Sequence, residues 1–309
     1  MATTTTPNVR LASLPPAAGR AGLKGALASE FTKIRSVRST YWTLGALFLV
    51  SVGLGIAITA GTAANFASNP GNKAGFDATQ VSLGAFFELG QLIIAVLGAM
   101  VITSEYSTGM IRTSLTAQPR RGVVYAAKAI VFTTVTLVIS FITAFIAFFV
   151  GQAIYSSKGV SASLFHTVTI PANANVNCNP NSGCTATFSG TDVITASTVL
   201  TAIIGTALFV TIVALIAFGV GSILRHTAGA IATVIALLFI VPILEQTLPN
   251  DWRWDIMRFL PDAATRVISV TVGGTNPHLW SAWPQLGVTA LWAAALVAVG
   301  ACLFRTRDA

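Results

Sequence analysis

The sequence predicts an all-α integral membrane protein: six transmembrane helices preceded by an amphipathic interfacial helix, with both termini in the cytoplasm. Of its 309 residues 54% are hydrophobic and only 9% are charged, whereas soluble domains carry about 25% charged residues. Mean hydropathy is +0.75, and several uncharged stretches reach the roughly 20 apolar residues that a spanning helix needs. A soluble globular fold is excluded, because too few charged residues are present to cover its surface.

The first 41 residues contain two segments of different character. Residues 1–19 are rich in Thr, Pro and Ala, which predicts a flexible cytoplasmic tail. Over residues 20–41 apolar side chains recur at three- and four-residue steps between basic ones, which predicts a helix lying in the inner membrane interface with its bases on lipid headgroups. The alternative is a cytosolic helix that packs on a soluble partner.

Residues 42–309 are predicted to form the membrane domain. Its six spans are expected at about 42–62, 84–103, 129–154, 198–224, 228–245 and 284–304. Between them lie a cytoplasmic loop, 104–128, and the outer loops 155–197 and 246–283. The first span is too long for a cleaved signal peptide, so we expect it to stay in the membrane. The Gly-x-x-x-Gly pair Gly71 and Gly75 falls in an outer loop, so we expect Ala, Thr and Ser to carry helix packing.

The orientation follows from the basic residues, which are kept on the cytoplasmic side of a membrane. Most of the 18 Lys and Arg residues precede the first span, lie between the second and third, or follow the sixth. The outer loops carry fewer, mixed with Asp, as at Lys158 and Arg258. The net charge of +8 is therefore explained by topology and by contact with anionic membrane lipid, and it requires no nucleic acid.

Two cysteines lie close together in the first large outer loop. Cys178 and Cys184 flank the turn-rich sequence Asn-Pro-Asn-Ser-Gly, and an oxidising compartment favours a disulfide there. The alternative is a pair of free thiols. A metal site is disfavoured, because no His lies in the turn and His166 is the nearest one.

Polar residues inside or beside the spans are candidates for a transport path. Glu88 and Gln91 lie in the second span, and an acid in lipid is costly unless it faces protein or water. They line the translocation path or, alternatively, Glu88 reaches the interface by snorkelling. Trp252, Trp254, Trp280 and Trp283 mark an interfacial belt, and the segment 246–260 is either re-entrant or lies on the outer surface.

The loop after the second span is longer than a chain reversal requires. Tyr106, Met110 and Leu115 predict a short amphipathic helix that ends before Pro119, with Ser104 or Ser107 capping its start and Glu105 near the positive end of its dipole. A polar, structured loop of this kind indicates contact with something in the cytoplasm.

No enzyme motif is found in the sequence. The three histidines lie in different loops, and neither a His-Glu-x-x-His nor a Gly-x-Ser-x-Gly motif occurs. A phosphate-binding loop needs a Gly-Lys pair, and the chain has none. We therefore expect neither a catalytic site, nor a metal site, nor a cofactor site in this chain.

Two segments resemble one family. The sequence from Glu105 to Leu115, followed by Gln-Pro-Arg-Arg121 and by Ala-Lys128, resembles the signature cytoplasmic loop of type-2 ABC exporter permeases, apart from Met110, where relatives commonly have Thr. The segment Ser29–Ser39, directly before the first span, is similar to that family's entry segment. With the six spans, the resemblance covers nearly the whole chain after about Leu23.

The resemblance implies the transmembrane permease subunit of an ATP-driven export complex in a bacterial cytoplasmic membrane. Such a subunit moves a substrate out of the cytoplasm or the inner leaflet. Its implied partners are ABC ATPase subunits, which bind ATP and magnesium, and a second permease copy or a paralogue. The loop is implied to couple to the ATPase through Glu105, Tyr106, Gly109, Arg112, Arg120 and Arg121.

Two other classes of function remain open. A secondary transporter or channel usually carries ionisable groups near the bilayer midplane or broken helices repeated in its two halves, and neither is evident in the sequence. A membrane scaffold or sensor without transport is the other alternative.

Overall fold

The computed structural model describes residues 22–36, 38–68, 77–117, 120–159, 168–171, 174–179, 183–188, 191–245, 247–261 and 280–306. Within them, six helices are long and apolar enough to cross a membrane, which confirms the predicted number of spans by length and composition. The predicted tail 1–19 lies outside the described residues, as do Gly71, Gly75, His166 and Gln246.

The helices run along most of the described chain. The N-terminal half has α1 (Leu23–Ser36), α2 (Arg38–Ser68), α3 (Ala78–Ser107), α4 (Met110–Ala117) and α5 (Arg121–Ser156). The C-terminal half has α6 (Ala196–Leu224), α7 (Thr227–Ile235), a π-helical turn (Ala236–Ile240), α8 (Val241–Glu245), α9 (Asn250–Met257) and α10 (Ala282–Thr306). The candidate spans are Tyr41–Phe66, Ala78–Ser107, Arg121–Ser156, Ala196–Leu224, Thr227–Leu244 and Ala282–Thr306.

Helix α6 lies at the centre of the bundle. It packs against α3, α5, α7 and α10, while α2 packs against α3 and α5. Because α6 is apolar on every face, it is stable only where other helices surround it or lipid does. Phe209 of α6 stacks on Phe87 of α3 with their ring centroids 4.5 Å apart, and both side chains are fully buried. The core of the chain is therefore the α3–α6 contact.

Single glycines lie where these helices cross most closely. A Cβ added at Gly98 of α3 would lie 2.5 Å from the carbonyl oxygen of Ala214 in α6, and one at Gly221 of α6 would lie 2.9 Å from the carbonyl oxygen of Ala99. At Gly219 it would lie 2.8 Å from Leu296 of α10. The prediction that Ala, Thr and Ser carry the packing is thus wrong at these crossings, because backbone approaches backbone too closely for any side chain.

The segment between α5 and α6 adds four short strands to the helical membrane part. Strand β1 (Val168–Pro171) pairs antiparallel with β4 (Thr191–Ile194), and β2 (Ala174–Asn179) pairs with β3 (Gly183–Phe188). The sequence predicted an outer loop over residues 155–197 and no strands within it. The predicted turn falls on residues 180–182, which lie between β2 and β3 in the sequence and outside the described residues.

The β2–β3 register is relevant to the predicted disulfide. Cys178 and Cys184 are directly paired residues of the two strands, and opposite residues of an antiparallel pair have Cα atoms about 4.5–5.5 Å apart, within the range that a disulfide spans. We expect a Cys178–Cys184 bond in protein purified without reductant. Mass spectrometry after non-reducing alkylation checks it, and finding both thiols alkylated would reject it.

The residues that follow α9 lie alongside α10. Gln285, Thr289 and Trp292 donate side-chain hydrogen bonds to the carbonyl oxygens of Arg258, Pro261 and Phe259, at 3.0, 3.0 and 2.8 Å. Thr289 lies seven residues after the first residue of α10, about 10 Å along the helix axis. Residues 258–261 therefore run beside the first turns of α10.

Candidate functional site

Four charged side chains from three helices form one ion-pair cluster. The ammonium of Lys128 in α5 lies 2.6 Å from Glu30 Oε2 in α1 and 2.7 Å from Glu105 Oε1 in α3. Lys33 in α1 lies 2.8 Å from Glu30 Oε1 and 3.3 Å from Glu105 Oε1. We call these residues the Glu30–Lys128 cluster. It joins α1 to the end of α3 and the start of α5, where the sequence predicts the cytoplasmic side.

The cluster is buried and balanced in charge. The side chains of Glu30 and Lys128 are each 6% exposed, that of Glu105 is 9% exposed and that of Lys33 28%. Two carboxylates face two ammonium groups, so each buried charge has a partner, as burial requires. Removing any one member leaves an uncompensated charge inside the protein.

The pKa values of Glu30 and Lys33 follow from these pairings. Burial alone would raise the pKa of the Glu30 carboxyl, but Lys128 and Lys33 outweigh burial and hold that pKa below its ordinary value. Burial alone would lower the pKa of Lys33, but Glu30 and Glu105 outweigh it and raise that pKa. Both groups are therefore charged at neutral pH.

The cluster also reaches α4. Lys33 Nζ donates a hydrogen bond to Ser114 Oγ at 3.1 Å, so one ammonium group contacts α1, α3 and α4. Glu105 Oε2 is buried without a hydrogen-bond partner among the described residues. A cavity of about 280 Å³ lies beside the cluster, lined among others by Thr43, Met100 and Thr108. The Lys33–Ser114 hydrogen bond thus ties α4 to the membrane helices.

The turn into α4 differs from the sequence prediction. Helix α3 continues to Ser107, and Gly109, with φ of +70°, makes the turn before α4 begins at Met110. Ser104 and Ser107 therefore do not cap α4, and Glu105 is not at its N-terminus; those predictions are wrong. The polar run 103–107 continues the helical hydrogen bonding of α3, and its one carboxylate is neutralised by lysines instead of by a helix dipole.

The six residues predicted to couple to an ATPase divide into two groups. Glu105 and Tyr106 face the protein: the Arg225 guanidinium carbon lies 4.8 Å from the centroid of the Tyr106 ring, which joins α3 to the α6–α7 turn. Gly109, Arg112 and Arg120 are exposed and Arg121 is half-buried. The structure therefore brings Glu105 into the cluster, whereas the arginines of the loop are not members of it.

Glu88 and Gln91 lie together on α3. The buried Gln91 donates from Nε2 to Glu88 Oε2 at 3.4 Å, whereas Glu88 is exposed at the surface of the single chain. Glu88 lies ten residues after the first residue of α3, about 15 Å along its axis. Glu88 therefore lies within the candidate span Ala78–Ser107. The side chain of Glu245 lies outside the described part of the structure.

Sequence reasoning missed three of the four cluster residues. Glu30 and Lys33 were assigned to the interfacial helix, with bases on headgroups, and Lys128 to a family motif. The structure corrects Lys33, whose ammonium faces protein carboxylates. Glu30 and Glu105 are acids in otherwise basic segments, and this was the sequence feature that could have indicated an ion-pair cluster. In the described residues no group of three or more His, Cys, Asp or Glu is arranged to hold a metal ion.

Comparison with known proteins identifies the N-terminal half. Residues 26–175 match the model of the ABC-2 family transporter proteins. A search of the curated proteins finds no match. The matched stretch contains α2 to α5 and every member of the Glu30–Lys128 cluster. Over residues 26–175 the chain therefore belongs to the ABC-2 family of transporter membrane proteins.

Proposed function

We propose that this chain is the permease subunit of an ATP-driven export complex, working with separate ABC ATPase subunits and a second permease copy or paralogue in a bacterial cytoplasmic membrane. The observation that carries the proposal is the ABC-2 family match, which includes α4 and the helices on both sides of it. In the proposed orientation α1, α4 and the α6–α7 turn face the cytoplasm, as the distribution of basic residues favours.

The two faces of α4 suit a docking helix. Ile111 is buried and Leu115 packs against the core, which anchors one face. Met110 and Arg112 are exposed on the other. We propose that an ATPase binds this exposed face. Closure of the ATPase then moves α4, and the Lys33–Ser114 contact transmits the movement to the cluster and so to α3 and α5.

A photo-crosslinker at position 110 tests the docking face. Met110 is 48% exposed on α4, whereas Leu291, the matched control, is 70% exposed on α10. In cells that produce the natural complex, we expect the probe at position 110 to capture an ABC ATPase, identified by mass spectrometry, and the probe at 291 to capture none. Capture from both positions, or from neither, would contradict α4 docking.

Glu88 is proposed to line the translocation path. A carboxylate that faces lipid at the centre of a span costs about 2.5–3.5 kcal/mol or more, and an acid elsewhere in a span is also disfavoured. The exposure of Glu88 in the single chain therefore supports contact with water or with a second permease chain in the complex. Leu92, about one turn further along α3, is also exposed and continues the stripe that begins at Glu88. We propose that this stripe faces the centre of the assembly.

Replacing Glu88 by leucine is expected to reduce transport strongly while membrane insertion and ATPase binding persist, because an apolar residue is tolerated by the bilayer but not by a wet path. The control is Leu291→Ala, which alters an exposed apolar residue of α10. Transport assayed in proteoliposomes gives the readout. Wild-type transport by Glu88→Leu would favour the snorkelling alternative instead.

A further inference from the structure

An apolar cleft lies between α1, the first turns of α2 and the middle of α5. Its volume is about 600 Å³, within the range of roughly 300–1,000 Å³ typical of small-molecule sites. Its walls are almost entirely apolar and include Ile34, Leu44, Phe48, Val135, Ile139 and Ile142. We call it the α1 cleft. Neither Glu88 nor any member of the Glu30–Lys128 cluster lines it, although Ile34 also lines the cavity beside the cluster.

One end of the α1 cleft is cationic. Arg35 is the charged residue among the described residues that line it, and this side chain is exposed. Phe31 and Tyr41, at 54% and 56% exposed, form its rim. Arg35 lies one residue before the end of α1, and Tyr41 is the first residue of the first span. The charge therefore lies at headgroup level, and the apolar walls extend from there along the span.

We propose that the α1 cleft binds an anionic phospholipid, with an acyl chain between α2 and α5 and the phosphate on Arg35. Water gains few hydrogen bonds in an apolar cleft, so the neighbouring acyl chains are its natural occupants. A guanidinium forms charge-assisted, often bidentate hydrogen bonds with phosphate. In the proposed orientation this membrane face is the cytoplasmic leaflet, whose lipids are the anionic ones.

The proposal rests on the membrane placement of α2 and α5 and on the proposed orientation, and it goes beyond the export function. Its test therefore uses the purified full chain, without an ATPase and without transport. Native mass spectrometry counts bound phosphatidylglycerol and phosphatidylcholine at matched concentrations. The melting temperature of each variant, measured in the same detergent, confirms that it is folded.

Two pairs of variants separate the cleft from the general surface. Arg35→Gln is matched by Lys24→Gln, which removes one exposed charge from α1 outside the cleft. Gly45→Leu fills the cleft and is matched by Gly53→Leu on the same helix. A Cβ at either glycine meets no atom within 4 Å, so both changes are compatible with folding.

We expect the wild-type protein to bind more phosphatidylglycerol than phosphatidylcholine. Arg35→Gln is expected to lower phosphatidylglycerol binding about fivefold, as expected for one basic residue near a membrane surface. Lys24→Gln is expected to leave that binding unchanged. Gly45→Leu is expected to lower the binding of both lipids, and Gly53→Leu to have no effect. Equal losses in the two charge variants would overturn the proposal, as would unchanged lipid binding by Gly45→Leu. A change in oligomeric mass caused by Gly45→Leu with lipid binding intact would assign the cleft to a second copy and overturn it too.

Discussion

Replacing Lys128 by methionine is expected to destabilise the protein by about 3–5 kcal/mol, the usual cost of breaking a buried ion pair by removing one partner. Lys128 lies within 2.7 Å of both Glu30 and Glu105, so the variant leaves two buried carboxylates facing the single ammonium of Lys33. Thermal unfolding in detergent measures the effect. Loss of the α1 contact should also expose α1 to limited proteolysis.

Two further variants make this result specific. Arg112→Met removes an exposed cation from α4 and is expected to leave the melting temperature nearly unchanged. Adding Glu30→Gln to Lys128→Met removes the excess negative charge and is expected to recover part of the loss. The melting temperature of Glu30→Gln alone is measured as well. The cluster is not the coupled unit described above if Lys128→Met melts at the wild-type temperature, or if the double variant loses as much stability as Lys128→Met and Glu30→Gln lose together.

The cluster also predicts how stability depends on pH. Because the pKa of Glu30 is lowered in the folded protein, its contribution is present above the unfolded pKa and is lost as the pH falls through the folded pKa. Because the pKa of Lys33 is raised, its contribution is present below the unfolded pKa and is lost as the pH rises through the folded pKa. The α1 contact is therefore weakened first on the acid side of the ordinary carboxyl range.

Replacing Gly98 by valine is expected to cost about 1–3 kcal/mol or more, as overpacking does in a filled core. Its Cβ would lie 2.5 Å from the Ala214 carbonyl oxygen and 2.9 Å from the Ala217 Cβ, so α3 and α6 must separate. The control is Gly53→Val, also in a spanning helix, where a Cβ meets nothing within 4 Å. We expect a lowered melting temperature for Gly98→Val and little change for Gly53→Val; equal behaviour of the two would contradict the close crossing.

Composition predicted the spans because lipid demands long apolar helices, whatever the helices then contact. The same reasoning missed Gly98, since nothing local distinguishes a glycine at a helix crossing from one facing lipid, such as Gly53. The four strands between α5 and α6 were missed because short polar segments of Asn, Thr and Ala carry turn signals more strongly than strand signals.

The sequence predicted α4 and Glu105 but not the contacts of Glu105, because local patterns do not report contacts between distant residues. The short helix near Met110 was expected from its apolar spacing, but its start was placed too early, because Glu105–Ser107 suit a helix start as well as a helix end. The Glu30–Lys128 cluster joins residues 98 positions apart in the chain, and periodicity does not report such contacts. Glu105 was therefore identified without its partners.

ATP-dependent transport in proteoliposomes tests the central claim most directly. Three preparations are compared: the permease with the ATPase that co-purifies with it, the permease with the same ATPase carrying an inactivated ATP site, and the permease alone. The export of candidate substrates is measured in each. We predict transport only with the active ATPase and ATP, and reduced transport when Glu105 or the Arg120 and Arg121 pair is replaced by alanine. Transport by the permease alone, or full transport by these variants in an intact complex, would contradict the account.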